Sequence, residues 1–270
     1  MSKKIIKGKP FDFGYNSITE IGGDPDMLMD FGILRLKSGQ IYEDNSALER
    51  AYLLVYGEIT LEYNKSSIKI NRPNCFDYAP WVLHLPADIP VRITGVAEDS
   101  EITVNKTVNS RIFDPKLYEP KDSPDEFRGA GTMQETSTRI VRTTFDYNNA
   151  PYANLVIGEV IGFPGKWSSY PPHFHPQPEI YYYKTYPTGG HAFAEVGDDV
   201  FKISGNDTVL IQNGMTHPHV TYPGYALWYL WAIRHLDGNP YITPTFVPEH
   251  EWVAKPDAKF WSYSNKKEMK

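Results

Sequence analysis

Two histidines and a glutamate stand close together in the segment Pro172-His-Phe-His-Pro-Gln-Pro-Glu179. Successive side chains of a β-strand point to opposite faces, so His173 and His175 are predicted to share one face. Glu179 can approach the same point from the start of the next strand. Imidazole nitrogens and carboxylate oxygens are ligands of divalent first-row metals. The spacing therefore predicts a metal site that leaves coordination positions open for a substrate.

A further ligand is predicted in the later segment Gly214-Met-Thr-His-Pro-His219. His217 and His219 share a face by the same period of two, and either can complete the site. Gly214 permits the tight turn that would bring His217 to the other ligands, which favours His217. His219 would then hydrogen-bond the substrate or a group that orients a ligand. The alternative is that these histidines are structural, but the combination of the two segments favours a metal site.

The run of tyrosines after Glu179 follows the same alternation. If Glu179 points inward, Tyr181 and Tyr183 also point inward, and Tyr182 and Lys184 point outward. A tyrosine hydroxyl near the metal could hydrogen-bond a polyhydroxylated ligand or take part in catalysis. The alternative is that these rings only pack the core.

Trp167 and Tyr170 precede the histidine pair, and their large amphipathic rings are predicted to line the mouth of the pocket. Aromatic faces of this kind suit sugar rings, although they are equally ordinary in a protein core. Both are therefore candidate substrate-binding residues.

The composition of the 270-residue chain excludes several classes of protein. The formal net charge of −6 provides no basic excess, so nucleic acid is not an expected partner. No apolar run is long enough for a membrane span, and the basic N-terminus has no apolar segment behind it that would make it a secretory signal. The single Cys75 suits a reducing compartment, so we expect a cytoplasmic protein. A homo-oligomer is compatible with the sequence.

Short segments with strand character recur along the whole chain, among them 51–56 and 59–63 in the first half. Many short strands bounded by turn residues predict an all-β fold of the sandwich or closed-barrel type. A polar, proline- and glycine-rich stretch begins at residue 118 and separates two halves of similar length. We therefore predict a duplicated β-barrel, with residues 1–118 in the first half and 119–270 in the second.

The first half contains His84 and Glu49 but no pair of histidines at strand spacing. A metal site is therefore not expected there. His84 is predicted to be a structural histidine at a strand end, and this half to supply packing, an interface or a lid.

The arrangement of these segments resembles the cupin superfamily, whose first motif carries a spaced histidine pair and a glutamate and whose second carries a glycine-preceded histidine. More narrowly, Trp167-Ser-Ser-Tyr-Pro-Pro-His173, Glu179-Ile-Tyr-Tyr-Tyr183 and Pro223-Gly-Tyr-Ala-Leu-Trp-Tyr229 resemble the 5-deoxyglucuronate isomerases of inositol catabolism. The related 5-keto-4-deoxyuronate isomerases are more distant. The resemblance covers nearly the full chain and implies a tandem cupin, or bicupin, of two jelly-roll barrels.

The resemblance implies a metal-dependent conversion of 5-deoxy-D-glucuronate to 5-dehydro-2-deoxy-D-gluconate, with zinc or manganese as the ion and a small sugar acid as the partner. The proton must move between two adjacent carbons, and the base could be Glu179, a pocket tyrosine or a metal-bound hydroxide. The substrate carboxylate calls for a guanidinium or an ammonium group, for which Arg142 and Arg234 are candidates. The alternative for both arginines is a surface or interdomain salt bridge.

This sequence departs from the family pattern around the histidine pair. Family members usually carry a lysine between the histidines and an acidic residue after them, whereas Phe174 and Pro176 stand at those positions here. The metal ligands are kept, so the departure bears on the choice of uronate. Isomerisation of another keto-deoxyuronate is therefore one alternative. A metal-dependent dioxygenase and a non-enzymatic sugar-binding barrel are the others.

Overall fold

The computed structural model describes residues 3–262 of the chain. Nearly all of its regular structure is β-strand, which confirms the all-β prediction. The first ten strands are β1 (Ile5–Ile6), β2 (Gly14–Thr19), β3 (Asp30–Leu36), β4 (Ile41–Asp44), β5 (Glu49–Tyr63), β6 (Ser66–Arg72), β7 (Val82–Leu85), β8 (Val91–Gly95), β9 (Ser100–Thr107) and β10 (Lys116–Tyr118).

The remaining strands are β11 (Glu126–Arg128), β12 (Arg139–Phe145), β13 (Leu155–Gly162), β14 (Trp167–Ser168), β15 (His173–Phe174), β16 (Glu179–Tyr186), β17 (His191–Val196), β18 (Asp199–Ser204), β19 (Thr208–Ile211), β20 (His219–Thr221), β21 (Ala226–Arg234) and β22 (Thr245–Phe246). Three short 3-10 helices span Pro120–Asp122, Met133–Glu135 and Pro248–Ala254. None of the described residues forms a helix that is long and apolar enough to cross a membrane.

The first half forms a nine-stranded antiparallel arrangement built around β5. The sequence predicted two strands, 51–56 and 59–63, but β5 runs without a break through both. Gly57 lies between them with a φ of +104°, and a side chain there would collide with Ser100, so glycine lets the strand bend without ending. The residues of β5 before Gly57 consequently pair with β7 and β9, and those from Gly57 onward pair with β6 and β8.

The second half packs a seven-stranded sheet against a four-stranded one. The seven-stranded sheet has the order β1-β19-β16-β21-β13-β12-β11, and the four-stranded sheet has the order β14-β20-β17-β18. β1, from the start of the chain, pairs with β19 in this second half. The division between residues 118 and 119 stays a prediction. The polar stretch after it contributes β11 to the edge of the seven-stranded sheet.

The two faces of the seven-stranded sheet have different neighbours. One face packs on the first half through a large core cluster that joins Phe31 and Leu53 to Tyr182 and Trp228. The opposite face lines the interior of the second half, where Tyr181 and Tyr183 pack with residues of the four-stranded sheet. Strand alternation therefore decides, residue by residue, which side chains reach the interior and which reach the interface.

Candidate metal centre

Three of the predicted ligands form a compact, buried group. The ligand atoms of His175, Glu179 and His217 all lie within 4.8 Å of one another. Oε2 of Glu179 lies 3.1 Å from Nε2 of His175 and 3.3 Å from Nε2 of His217. Glu179 is the first residue of β16, while the two histidines come from the loops before β16 and before β20.

Backbone carbonyl groups orient the imidazole rings at this site. In each of three histidines Nδ1 donates a hydrogen bond to the carbonyl oxygen of a residue two positions away in the sequence. The distances are 3.2 Å from His173 to Pro171, 3.0 Å from His175 to Gln177 and 2.9 Å from His217 to Met215. With the proton on Nδ1, the Nε2 atom of a neutral ring presents a lone pair.

The arrangement fits a bound cation. In the neutral tautomer set by these carbonyl groups, Nε2 of His175 and Oε2 of Glu179 are both acceptors, and they face each other at 3.1 Å. Nε2 of His217 is buried and makes no hydrogen bond to any described residue. Burial, partly opposed by Glu179, lowers the pKa of His217 to about 3, so its ring is neutral at physiological pH. Acceptors that converge in this way are stabilised by a metal ion.

His173 lies at the side of the compact group. Its ring centroid is 4.8 Å from that of His217, with the two rings nearly perpendicular. Burial lowers the pKa of His173 to about 4, so this ring is also neutral near pH 7. His173 therefore lies next to the cluster. Its Nδ1 donates to the carbonyl oxygen of Pro171, the same type of bond that orients His175 and His217.

His219 is placed differently from His217. It is completely buried, and its Nε2 is hydrogen-bonded to the hydroxyl group of Tyr183. Neither residue is among those that line the cavity beside the metal cluster. Of the two histidines that the sequence left open, the structure brings His217 to the cluster.

Tyr181 does line the cavity, together with His173, His175 and Glu179. Its hydroxyl lies 3.3 Å from Oγ of Ser169. Burial, and after it the carboxylate of Glu179, raise the pKa of this hydroxyl well above its ordinary value, so it stays protonated and can donate.

Arg142 and Arg234 were predicted as candidates for binding the substrate carboxylate. Neither of them lines the cavity. Arg142 lies on the interface face of β12, and its NH1 group donates to Glu159 at 2.8 Å while Nε donates to Asp125 at 2.6 Å. Nε of Arg234 donates to Thr107 in the first half at 3.3 Å. Arg142 also donates to the carbonyl oxygen of Tyr78 in the first half at 2.9 Å, and Arg234 forms an ion pair with the exposed Asp237 at 3.3 Å.

Trp167 and Tyr170 also lie outside this cavity. Their ring centroids are 5.5 Å apart, and they line a larger groove beside the 3-10 helix Pro248–Ala254. The groove also contacts Pro172 and Thr216, the sequence neighbours of His173 and His217. Trp167 and Tyr170 therefore lie near His173 and His217 but in a groove separate from the cavity that Glu179 lines.

Several cavity residues were missed by the sequence analysis. Arg128, Arg139, Trp231 and Tyr241 all line the cavity with Glu179. The indole Nε1 of Trp231 is buried and makes no hydrogen bond to a described residue. The ring of Tyr241 packs edge-on against His175, with centroids 4.8 Å apart. No sequence motif marks these residues, because Arg128, Arg139 and Trp231 come together through the pairing of strands and Tyr241 lies in the loop after β21.

The first half, within residues 3–262, contains no comparable group of metal-ligating side chains. His84 is fully buried, as expected of a structural histidine, and its Nε2 lies 2.9 Å from Glu49. The same carboxylate accepts the backbone N–H groups of Asn154 and Leu155 at 2.7 and 3.2 Å. Glu49 therefore ties the first half to the start of β13.

Comparisons with known proteins agree with this description. The sequence model of the KduI/IolB family matches residues 8–253 of the chain. The 5-deoxy-glucuronate isomerase of Bacillus subtilis (strain 168) is 28% identical over 246 residues, which cover 83% of this chain and 87% of that protein.

Two solved structures are similar to this one. An IolB-like protein from Salmonella typhimurium LT2 superposes with a TM-score of 0.84 at 21% identity, covering 93% of this chain and 99% of that one. Oxalate decarboxylase from Bacillus subtilis superposes with a TM-score of 0.62 at 13% identity, covering 92% of this chain and 79% of that one. At these identities the likeness shows the fold, which is the tandem cupin fold that the motifs predicted.

Proposed function

The chain belongs to the KduI/IolB family, and from this membership and its site we propose that it interconverts 5-deoxy-D-glucuronate and 5-dehydro-2-deoxy-D-gluconate. This aldose–ketose isomerisation moves a proton between C1 and C2 of the open-chain sugar acid. The observation that carries the proposal is that the buried Nε2 of His217, which makes no hydrogen bond to a described residue, lies 3.3 Å from Oε2 of Glu179, and that Glu179 lines a cavity within reach of a substrate.

We assign the metal site to His173, His175, Glu179 and His217, with zinc or manganese as the ion. When bound, the ion supplies Lewis acidity that polarises the substrate oxygens and makes the C2 proton more acidic. The three histidines hold their ligand atoms in place through hydrogen bonds from Nδ1 to backbone carbonyl groups, so little reorganisation accompanies binding.

The chain's own residues must also move the proton. Among the residues 3–262 that line the cavity, Glu179 is the only carboxylate, and we assign the proton transfer between C1 and C2 to it. Tyr181, which stays protonated, donates a hydrogen bond to a substrate oxygen. Tyr183 and His219 are hydrogen-bonded to each other and do not line the cavity. We therefore propose that they position neighbouring residues and do not contact the substrate.

We place the reaction in the cytoplasm, in the catabolism of myo-inositol. The single Cys75 is buried and forms no disulfide, as suits a reducing compartment. A homo-oligomer remains a prediction that light scattering of the purified protein would test. Phe174 and Pro176 adjoin the metal ligands, so a related keto-deoxyuronate is the second substrate to try.

The test is an assay of the metal-loaded protein with 5-deoxy-D-glucuronate in deuterated water, without oxygen. We expect formation of the ketose, with deuterium incorporated when the transferred proton exchanges with solvent. Elemental analysis of the same sample should find zinc or manganese. Product that forms only when oxygen is admitted would instead identify a dioxygenase, and the absence of turnover with any uronate would refute the isomerase.

A further inference from the structure

Two arginines stand directly opposite each other beside the metal cluster. In the antiparallel pair of β11 and β12, Arg128 is the cross-strand partner of Arg139. Both side chains line the same cavity as His175 and Glu179. Like charges at directly opposed positions of a sheet destabilise it, unless an opposite charge lies between them or beside them.

One member of the pair has a counter-charge. Nε of Arg128 donates to Oε2 of Glu126 at 2.9 Å, and both side chains are about half exposed. This ion pair lies at the rim of the cavity, where water screens it. Arg128 together with Glu126 therefore carries no net charge.

Arg139 lies deeper and has no such partner. Its NH1 group donates to the carbonyl oxygen and the hydroxyl of Ser137, at 2.9 and 3.2 Å. No carboxylate among residues 3–262 forms an ion pair with it. Burial, opposed by Tyr229 and assisted by the charge of Arg128, lowers the pKa of Arg139. A guanidinium has five N–H donors, and Nε and Nη2 of Arg139 donate to none of the residues 3–262, so they can bind a ligand.

We propose that Arg139, with Arg128 beside it, is the carboxylate-binding subsite of the metal cavity. The three charges of Arg128, Arg139 and Glu126 sum to +1, which one carboxylate neutralises. The planar guanidinium fork matches the two oxygens of a carboxylate. The identity of the sugar acid rests on the proposed function, whereas the binding of a carboxylate at this end of the cavity depends on these side chains.

The experiment compares one acid with its neutral counterpart. We would measure KM for 5-deoxy-D-glucuronate and for 5-deoxy-D-glucose, whose C6 carries a hydroxyl group, in the metal-loaded wild type, Arg139→Gln and Arg139→Lys. Losing a charged hydrogen-bonding partner should raise KM for the acid by roughly 10- to 100-fold and leave KM for the neutral sugar within about 2-fold. Arg139→Lys keeps the charge without the fork and should fall between.

Arg234→Gln is the matched control, because Arg234 faces the first half and should leave the ratio of the two KM values unchanged. Calorimetric binding of 5-deoxy-D-glucuronate to the same proteins separates the two proposals. Binding that depends on Arg139 without any turnover would support the subsite and refute the isomerase. If the protein turns over the sugar acid but both Arg139 variants raise KM equally for the acid and for the neutral sugar, the subsite is refuted and the isomerase is not. No binding of the acid by the wild type would refute the subsite outright.

Discussion

Nε2 of His217 lies 3.3 Å from Oε2 of Glu179, and no hydrogen bond joins the two atoms. Because Nδ1 of His217 donates to the carbonyl oxygen of Met215, the lone pair on Nε2 points towards the carboxylate. A pair of buried acceptors costs free energy when nothing lies between them. A bound cation would remove that cost. Metal binding should therefore be lost when either His217 or Glu179 is replaced.

We expect His217→Ala and His175→Ala to purify folded and with much less than one equivalent of metal. Each change removes a ligand atom from a site with few alternatives, so the isomerase activity should be lost with the metal. Elemental analysis and far-UV circular dichroism of the purified proteins test this. His191→Ala is the control, because His191 bonds Ser204 away from the cluster. Unchanged metal content in both ligand variants would refute the site.

A second prediction concerns the buried network at the interface of the two halves. Glu159 is fully buried and accepts hydrogen bonds from Arg72 at 2.7 Å, from Arg142 at 2.8 Å and from the indole of Trp228 at 2.9 Å. Removing the carboxylate would leave the buried guanidinium group of Arg72 without a counter-charge and Arg142 with only the half-exposed Asp125.

We therefore expect Glu159→Ala to lower the free energy of unfolding by about 3 to 5 kcal/mol. Urea denaturation measures this value. The control is Glu43→Ala, which breaks an exposed ion pair with Arg92 and should cost at most about 1 kcal/mol. A loss for Glu159→Ala no larger than that of the control would contradict the network's role in holding the halves together.

The sequence predicted the parts of the site that lie within one strand. Alternation along β16 sends Glu179 and Tyr181 to the cavity, whereas Tyr182 and Lys184 reach Glu101 of the first half, as expected from their parity. The histidines were found because their spacing is short and their chemistry is specific.

Which arginine of β12 faces the cavity could not be predicted from the sequence. Arg139 and Arg142 lie on one strand but differ in parity, so only one of them can face the cavity. Which one does so depends on the register of β12 with β13 and of β13 with β21, and no local pattern in the sequence reveals it. Trp231 on β21 was missed for the same reason, whereas Tyr241 lies in a loop whose path the sequence does not predict.

A third prediction follows from the close contact of Gly158 with Trp231. The two residues are cross-strand partners of β13 and β21, and a Cβ atom at position 158 would lie 2.3 Å from Cζ2 of the indole ring. It would also lie 2.8 Å from the carbonyl oxygen of Arg142, which is backbone and cannot swing aside. The absence of a side chain at Gly158 therefore lets the Trp231 ring lie flat against the sheet in the cavity wall.

We expect Gly158→Ala to destabilise the protein by about 1 to 3 kcal/mol and to displace the Trp231 ring. Thermal unfolding and tryptophan fluorescence measure the two effects, and KM for the sugar acid should rise as the wall changes shape. The control is Gly205→Ala, since a Cβ atom there meets nothing closer than 3.9 Å. Equal melting temperatures for the two variants would contradict the prediction.

A fourth prediction concerns His235, whose Nδ1 accepts the backbone N–H of Tyr241 at 2.9 Å. This bond holds the turn that places Tyr241 over His175. Burial, partly opposed by Glu49, lowers the pKa of His235 to about 4. In the unfolded chain the ring takes up its proton near its ordinary value of about 6.5. The stabilising effect of the neutral ring is therefore fully present above about pH 6.5 and is lost as the pH falls towards 4.

We expect His235→Asn to make the free energy of unfolding less dependent on pH, because an amide oxygen can accept the same N–H group without titrating. Urea denaturation of wild type and variant at pH 7.5, 5.5 and 4.5 measures the difference, which should approach one proton between about pH 6.5 and 4. The other histidines are the same in both proteins, so the comparison isolates His235. His250→Asn, a change at an exposed histidine, is the control. If wild type and His235→Asn lose stability in parallel as the pH falls, the protonation of His235 does not control the turn that carries Tyr241.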